Sequence, residues 1–266
     1  MGQAIAERLV SQGVPVVATS HDATDRQKFA HHHTIAVRPN PGEVVTELAA
    51  DGGMITVLVC VSAGERVTDV VFGPGGLLAA LPREAQLLVM DLSAVAPTVA
   101  AEMAAALGAR GHRFVDAPTS GGPAAAATGT LSIMAGGEPG DIDAAMPWLN
   151  MLGKVSRCGA PGAGQVVSVC HQVLVASGIM AVAEVLTLAE SSGVDPEVAR
   201  TALIQGYQSA GAARDSGPQG LESLARDVGI AQRLAARAGL RSPMVDATSA
   251  VVRRLTGLDI DPAPAL

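Results

Sequence analysis

Apolar and polar positions along the first half of the chain follow two alternating patterns. The first ten residues, MGQAIAERLV, put Ala4, Ile5, Leu9 and Val10 on one helical face. Apolar runs of strand length then recur as VPVVAT (14–19), MITVLVCV (54–61), AQLLVMDL (85–92), HRFVDAP (112–118) and GTLSIMAGG (129–137). Helical patterns separate several of these runs, at residues 42–50, 64–71 and 98–108. The alternation predicts an α/β domain with a parallel sheet and crossover helices.

The pattern changes after about Gly153. From there no run is typical of a strand, and helical periodicity covers residues 164–191, 196–205, 221–238 and 243–255. The Gly- and Ser-rich stretch at 206–220 is typical of a loop. We therefore predict an α/β domain over residues 1–153 and an all-α domain over residues 154–266, with a long interdomain helix.

A doubly wound, Rossmann-like sheet normally begins with a strand and a tight glycine turn that leads into the first helix. This sequence begins with the helix instead, so Gly2 would be the last glycine of that turn. The prediction is a Rossmann-like domain whose first strand and first two turn glycines are missing from this sequence.

Polar residues interrupt the long apolar helix just after its glycine-rich start, in the stretch GAGQVVSVCHQ. Residues three or four apart share a helical face, so Ser168, His171 and Gln172 project to one side. Polar groups on a buried helix are costly unless they find partners. This face is therefore a candidate site.

Composition and charge argue against a nucleic-acid partner and against a metal site. The chain is 48% hydrophobic and carries a formal charge of −7, so it can form a sizeable core but lacks the basic surface that nucleic acids require. The three cysteines have no metal-like spacing, which predicts buried, reduced thiols in a cytoplasmic protein. The triple histidine at residues 31–33 has no carboxylate pattern to complete a metal site.

The most apolar window begins at Val173 and is interrupted by Glu184. A membrane span would need a longer uncharged stretch, so we expect a buried core helix and no membrane partner.

The stretch FVDAPTSGGPAAAATGTLSIMAGG holds the strongest candidate chemistry. Consecutive glycines let backbone N–H groups approach an anion closely, and Ser120 adds a hydroxyl beside Gly121 and Gly122. A tight turn that uses glycine only for its backbone angles explains the same residues. From the residues alone, both interpretations stay open.

This stretch closely resembles the substrate-binding signature of the β-hydroxyacid dehydrogenases of the 3-hydroxyisobutyrate dehydrogenase type, DxPVSGGxxGAxxGTL. The matching residues are Asp116, Pro118, Ser120, Gly121, Gly122, Gly129, Thr130 and Leu131. MDLSAVAP at 90–97 is similar to the family's DMST-x-x-P. GAGQVV is similar to the glycine turn before the long helix, and ARDVGIA at 225–231 to KDLxLA. The resemblance covers nearly the whole chain.

The resemblance implies reversible hydride transfer between a nicotinamide cofactor and a small β-hydroxy acid. Ser120, Gly121 and Gly122 would hold the substrate carboxylate, with Gln172 also binding substrate. The family's catalytic Lys position is Ser168 here, while His171 and Gln172 match the KxxHQ form of the threonate-dehydrogenase-like branch. Because a serine hydroxyl is a poor acid and histidine titrates near neutral pH, we take Ser168 and His171 as the candidate catalytic pair.

The resemblance also implies a dinucleotide site in residues 1–153. Its cofactor-binding residues would be Gly2, Ser20, His21, Cys60, Val61, Ala94 and Arg226. Ser20, His21 and Asp22 align with the family's Asn-Arg-Thr, which favours NADP over NAD, although His21 is equally well explained as a loop residue. The family further implies a homodimer or higher homo-oligomer.

Two alternatives remain. The missing strand and the absent lysine would also fit a catalytically impaired or truncated, non-catalytic relative. Imine (C=N) reductases related to this family also lack the lysine, but the carboxylate-binding Ser-Gly-Gly run favours an acid substrate.

Overall fold

The computed structural model describes residues 1–30, 34–61, 65–212 and 218–256. It forms two compact units, Met1–His171 and Gln172–Leu266. The boundary between the units falls within one long helix, eighteen residues after the domain boundary that we predicted at residue 153. The division into an α/β domain over residues 1–153 and an all-α domain over residues 154–266 stays a prediction.

Among the described residues, the first unit contains eight strands, eight α-helices and a short 3-10 helix (Ala49–Asp51), followed by the first turns of a ninth α-helix. The strands are β1 (Val16–Ala18), β2 (Ile35–Val37), β3 (Met54–Val59), β4 (Gln86–Asp91), β5 (Arg113–Asp116), β6 (Thr119–Ser120), β7 (Leu131–Gly137) and β8 (Gly153–Gly159). The helices are α1 (Gly2–Ser11), α2 (Ala23–Ala30), α3 (Pro41–Leu48), α4 (Glu65–Phe72), α5 (Leu77–Ala80), α6 (Pro97–Gly108), α7 (Gly122–Thr128) and α8 (Pro139–Leu152). The predicted alternation of strands and helices is confirmed.

The strands form two sheets. β1 pairs in parallel with β2 alone, and the larger sheet has the order β3-β4-β5-β7-β6, with β8 on the other edge of β7. β3, β4 and β5 are parallel, whereas β7 runs antiparallel to β5 and β6 and parallel to β8. Among the described residues, β1 and β2 form a sheet separate from the one that contains β3.

The prediction that no strand follows Gly153 was wrong, because residues Gly153–Gly159 form β8. The strand lies at a sheet edge, and its sequence GKVSRCG contributes only Val155 to the apolar pattern. Its backbone pairing with β7 determines the strand, so side-chain alternation gives no signal.

Helices cover both faces of the larger sheet, and β4 is buried at every position except Gln86. Leu88 and Met90 face one core, which includes residues of α1 and α8. Leu87 and Val89 face a second core, which includes residues of α6. This alternation on a doubly covered strand explains why AQLLVMDL is apolar at nearly every position.

The second unit holds the rest of the ninth helix, α9 (Ala163–Ser191), with α10 (Pro196–Ala212), α11 (Pro218–Arg237) and α12 (Pro243–Thr256). Glu184 accepts hydrogen bonds from the backbone N–H groups of Met244 and Val245, at 3.0 and 2.9 Å. A carboxylate at these groups satisfies donors at the start of α12 and suits the positive end of its dipole.

The loop predicted at residues 206–220 was partly wrong, because α10 continues to Ala212 and α11 begins at Pro218. Residues 213–217 lie outside the described residues. Gly206 has no neighbouring atom within 4 Å of where a Cβ would stand, so it is an exposed helical glycine rather than a turn residue.

The apolar surface of α9 is largely exposed, which differs from the buried core helix that we predicted. By length and composition alone this helix could cross a membrane, yet only 6% of its most apolar window is buried within the chain. Leu174 and Ile179 are each 64% exposed. Cys170 on the same helix is also exposed rather than buried, and all three cysteines are free thiols.

Candidate active site

The Ser-Gly-Gly turn follows the two-residue strand β6. Gly121 and Gly122 have φ angles of +125° and +72°, a region that side chains with a Cβ rarely adopt. A Cβ at Gly121 would also stand 2.7 Å from the Cβ of Ala125. The turn therefore requires glycine for its backbone conformation, and it leaves Ser120 half-buried with its hydroxyl free to meet the next element.

His171 meets that hydroxyl. The His171 Nε2 atom lies 2.9 Å from Ser120 Oγ, joining residues 51 positions apart. The imidazole is half-buried at this point of α9. The two residues that we predicted for substrate binding and catalysis are thus in direct contact.

Ser168 lies one helical turn before His171 and is 6% exposed. No hydrogen bond to its Oγ occurs among the residues that the structure describes. Gln172 is the next residue of α9 after His171 and belongs to the second compact unit.

Asp116 fixes the start of α9. Its buried carboxylate accepts the backbone N–H of Gly162 at 2.8 Å and that of Gln165 at 2.9 Å. Burial raises the pKa of Asp116, although these N–H groups act in the opposite direction. A Cβ on Gly164 would stand 2.3 Å from the Met134 carbonyl oxygen, so the helix packs directly on the sheet backbone. The sequence identified Asp116 as a motif residue but gave no sign of this role.

A second buried network connects the strand ends with α9. Ser93 N–H donates to Asp91 Oδ1 at 2.9 Å, and Ser93 Oγ accepts the N–H of Val61 at 3.0 Å. The Gln165 side chain donates to the Ser93 carbonyl at 2.8 Å and accepts the Val95 N–H at 3.1 Å. A glutamine among the apolar residues of a helix start was the only sequence signal for this link.

One carboxylate oxygen of Asp91 takes no part in this network. Its Oδ2 atom is buried and has no hydrogen-bond partner in the part of the chain that the structure describes. Burial, assisted by the nearby Asp116 charge, raises the pKa of Asp91 to about 6.

The predicted cofactor residues follow the carboxyl ends of parallel strands. Ser20 and His21 follow β1, Cys60 and Val61 follow β3, and the exposed Ala94 follows β4. Gly2 opens α1, with its Cβ position 3.9 Å from the Cβ of Cys60. Open α/β sheets bind ligands outside the carboxyl ends of their strands.

Two arginines that the sequence analysis missed lie at the turn after β1. Arg26 donates to the Ser20 carbonyl and, at 3.1 Å, to the His21 carbonyl. Arg66 contacts His21 Nε2 through its Nη1. The turn thus gathers two guanidinium groups around His21, a donor set that suits a phosphate group.

Comparison with known proteins identifies the family. A family model described as the NAD binding domain of 6-phosphogluconate dehydrogenase matches residues 1–169. A second, described as NAD-binding of NADP-dependent 3-hydroxyisobutyrate dehydrogenase, matches residues 162–259. The chain belongs to the β-hydroxyacid dehydrogenase family.

Relatives named as oxidoreductases and dehydrogenases support this assignment. An uncharacterised oxidoreductase of Synechocystis is 36% identical over 74% of this chain and 66% of its own length. The NAD-dependent L-serine dehydrogenase of Pseudomonas aeruginosa is 32% identical over 72% of this chain and 70% of its own length. The 3-hydroxyisobutyrate dehydrogenase of the same organism is 36% identical over 55% of this chain and 49% of its own length. The matched segments thus span about two thirds of these relatives or less.

Solved structures agree on the fold. The 3-hydroxyisobutyrate dehydrogenase of Mycobacterium tuberculosis, solved with L-serine, has a TM-score of 0.64 and 27% identity, over 98% of this chain and 93% of that chain. An imine reductase of Myxococcus stipitatus, solved with NAD+, has a TM-score of 0.75 but only 15% identity, over 97% of this chain and 90% of that chain. The second likeness concerns the fold alone.

Two of the sequence predictions concern residues whose side chains the structure does not describe. Arg226 falls within α11, but its side chain is outside the described residues. The triple histidine at residues 31–33 is also outside them. Within the described part of the chain, no group of three His, Cys, Asp or Glu residues could hold a metal ion.

Proposed function

We propose that this chain is an NAD(P)-dependent oxidoreductase that transfers hydride between a nicotinamide cofactor and a small β-hydroxy acid. The contact of His171 with Ser120, at the edge of the Ser-Gly-Gly turn, carries the proposal. It puts a proton-transfer group next to hydroxyl and N–H donors suited to a carboxylate. L-Serine and 3-hydroxyisobutyrate, after which two of the relatives are named, are both small β-hydroxy acids.

The residues at the strand ends fit a dinucleotide. Gly2 leaves the start of α1 open to a close approach, and the side chain of Met1 makes no cap there. Arg26 and Arg66 at the Ser20–His21 turn favour NADP, because its ribose carries an additional phosphate. A bound oxidised nicotinamide would accept the hydride that leaves the carbinol carbon.

The chain's own groups would hold the acid and move its proton. Ser120 Oγ and the N–H groups of Gly121 and Gly122 orient the carboxylate. As the carbinol C–H bond breaks, the hydroxyl proton passes to His171, directly or through the Ser168 hydroxyl, and a carbonyl forms. In the reverse direction His171 returns that proton to the carbonyl oxygen.

Reduction of a C=N bond is the alternative that the fold neighbours allow. An imine substrate gives no role to the Ser-Gly-Gly turn as a carboxylate site. The turn therefore favours the acid. A catalytically impaired relative remains the second alternative, because Ser168 stands where the family has its lysine.

Calorimetric titration of the purified chain with NADPH and NADH is the first test. We expect micromolar binding, tighter for NADPH, and a loss of that preference in Arg66→Ala. Oxidation of L-serine and 3-hydroxyisobutyrate with each cofactor then tests the reaction. A folded chain that binds neither cofactor would contradict the proposal.

We further propose that a second copy of the chain covers the apolar surface of α9. Among the residues of the second unit whose burial the structure describes, five apolar residues are buried, namely Leu188, Ala199, Ala235, Val245 and Val252. By contrast, fifteen of its large apolar residues, from Val173 to Leu255, are exposed. A unit of this size needs far more burial for stability, and an identical copy offers a matching set of apolar helices. A cytoplasmic location and the lack of a membrane partner stay predictions.

A further inference from the structure

The sheet register places a lysine on the same face as the Ser-Gly-Gly turn. Ser120 of β6 is paired directly with Ser132 of β7, and Ser132 is paired with Lys154 of β8. Residues paired across neighbouring strands point to the same face of the sheet. Ser120 contacts His171 of α9, and the register places Ser120, Ser132 and Lys154 in one row on the same face of the sheet.

The row is short enough for a single small anion to span it. Strands lie about 4.8 Å apart, which separates the Cα atoms of Ser120 and Lys154 by roughly 10 Å. A lysine side chain bridges much of that distance. Ser132 and Lys154 are exposed and Ser120 is half-buried, so the surface above Ser132 is open to a ligand.

Lys154 is also free to take an anionic partner. The chain has only two lysines, Lys28 and Lys154. Lys28 forms a salt bridge with Asp25 at 2.8 Å, whereas Lys154 forms none within the described ranges. On the opposite face of β8, Arg157 already pairs with Asp143 at 2.7 Å.

We propose that Lys154, on the side of Ser132 opposite Ser120, binds the substrate carboxylate. It would thereby supply the positive charge that α9 lacks at Ser168. Ser120, Gly121 and Gly122 offer only neutral donors to that carboxylate, and hydrogen bonds from charged groups are about twice as strong. The site then has two parts, with neutral donors at the glycine turn and a cation on β8. This assignment rests on the proposed acid substrate.

The experiment measures binding of 3-hydroxypropionate by calorimetry to the full chain saturated with NADPH. Lys154→Met should weaken that binding about tenfold and remove most of its dependence on salt concentration, since the lost contact is electrostatic. Lys154→Arg should keep most of the affinity. Lys28→Met, which removes the only other lysine, should bind like the wild type.

Chemical modification gives a readout that does not depend on activity. N-Acetoxysuccinimide acylates exposed lysines, and peptide mass spectrometry distinguishes the two. 3-Hydroxypropionate should slow acylation of Lys154 several-fold and leave Lys28 unchanged, whereas 1,3-propanediol, which lacks the carboxylate, should protect neither.

Equal affinity of the wild type and Lys154→Met, or unprotected Lys154 in the presence of bound acid, would overturn the role of Lys154 alone. Failure of the wild type to bind the acid at all would overturn this role and the proposed substrate class together.

Discussion

His171 Nε2 lies 2.9 Å from Ser120 Oγ, and this contact joins the long helix to the glycine turn. One partner comes from a two-residue strand and the other from the third turn of α9. The pair therefore depends on how α9 is held against the sheet as much as on the two side chains.

Replacing His171 should mainly affect kcat, and replacing Ser120 should mainly affect KM. We expect His171→Ala to lower kcat for oxidation of a β-hydroxy acid by about 10²- to 10⁴-fold, because it removes the proton-transfer group. Ser120→Ala should mainly raise KM, by about tenfold, through the loss of one hydrogen bond to the carboxylate. Cys170→Ala is the control, since this neighbouring residue is exposed. An unchanged kcat in His171→Ala would remove His171 from the chemistry.

Introducing a lysine at position 168 of α9 should increase activity. Ser168→Lys puts an ammonium group one turn from His171, and we expect turnover of small β-hydroxy acids to rise on the order of 10²-fold. Ser168→Met, similar in length but uncharged, should give no increase. If a folded, cofactor-binding Ser168→Lys variant shows no increase, Ser168 does not face the reacting oxygen.

Two glycines of α9 should respond oppositely to alanine. A Cβ at Gly164 would meet the Met134 carbonyl at 2.3 Å and Asp116 Oδ2 at 2.7 Å. Gly164→Ala should therefore destabilise the fold by about 3 kcal/mol or more, because it forces the helix away from the sheet. Gly178 has open space at its Cβ position, so Gly178→Ala should stabilise by up to about 1 kcal/mol. Denaturant unfolding compares the two, and similar effects would argue against the close packing of α9.

Stability should depend on pH through Asp91. In the folded state its pKa is raised to about 6, above the ordinary value of 3.8. The folded protein thus binds this proton more tightly, and the associated stability is present below about pH 4 and lost as pH rises through 6. Asp91→Asn cannot titrate, so its stability relative to the wild type should increase between pH 4 and 7, by at most about 3 kcal/mol. Parallel unfolding free energies of the two proteins across this range would contradict the prediction.

A charge on the exposed surface of α9 should break the proposed self-association. Ile179→Asp buries an uncompensated carboxylate if a second copy covers the helix, so sedimentation should report a smaller species than the wild type. Thr98→Asp adds the same charge at an exposed position of α6 and should not change the sedimentation. Binding of the wild type to liposomes without self-association would instead support a membrane partner.

The sequence predicted the elements whose signals are local. Apolar periodicity predicted α1, α3, α4 and α6 and the strands β1, β3, β4, β5 and β7, and glycine positions predicted the Ser-Gly-Gly turn. The short elements α2, β2, α5, β6 and α7 were not predicted. The likeness of GAGQVVSVCHQ to the family's KxxHQ helix led to His171.

Other features depend on contacts between distant segments. The contacts of Arg26 and Arg66 at His21, and those of Asp116 with the start of α9, arise only when the chain folds. β8 was missed because an edge strand with polar side chains needs only its backbone pairing. The row from Ser120 to Lys154 likewise depends on strand register.

The separation of the β1–β2 sheet from the larger sheet also affects cooperativity. The β1–β2 ladder has three residue pairs, and among the described residues the hydrophobic cluster around it buries Ala6, Phe29 and Ile35. So small a core stabilises its segment weakly, and such segments open without unfolding the whole protein. Ser20 and His21 follow this ladder, so a cofactor that contacts them would bind only the closed form. Each such opening would lower the apparent affinity for cofactor, and each bound cofactor would hold the segment shut.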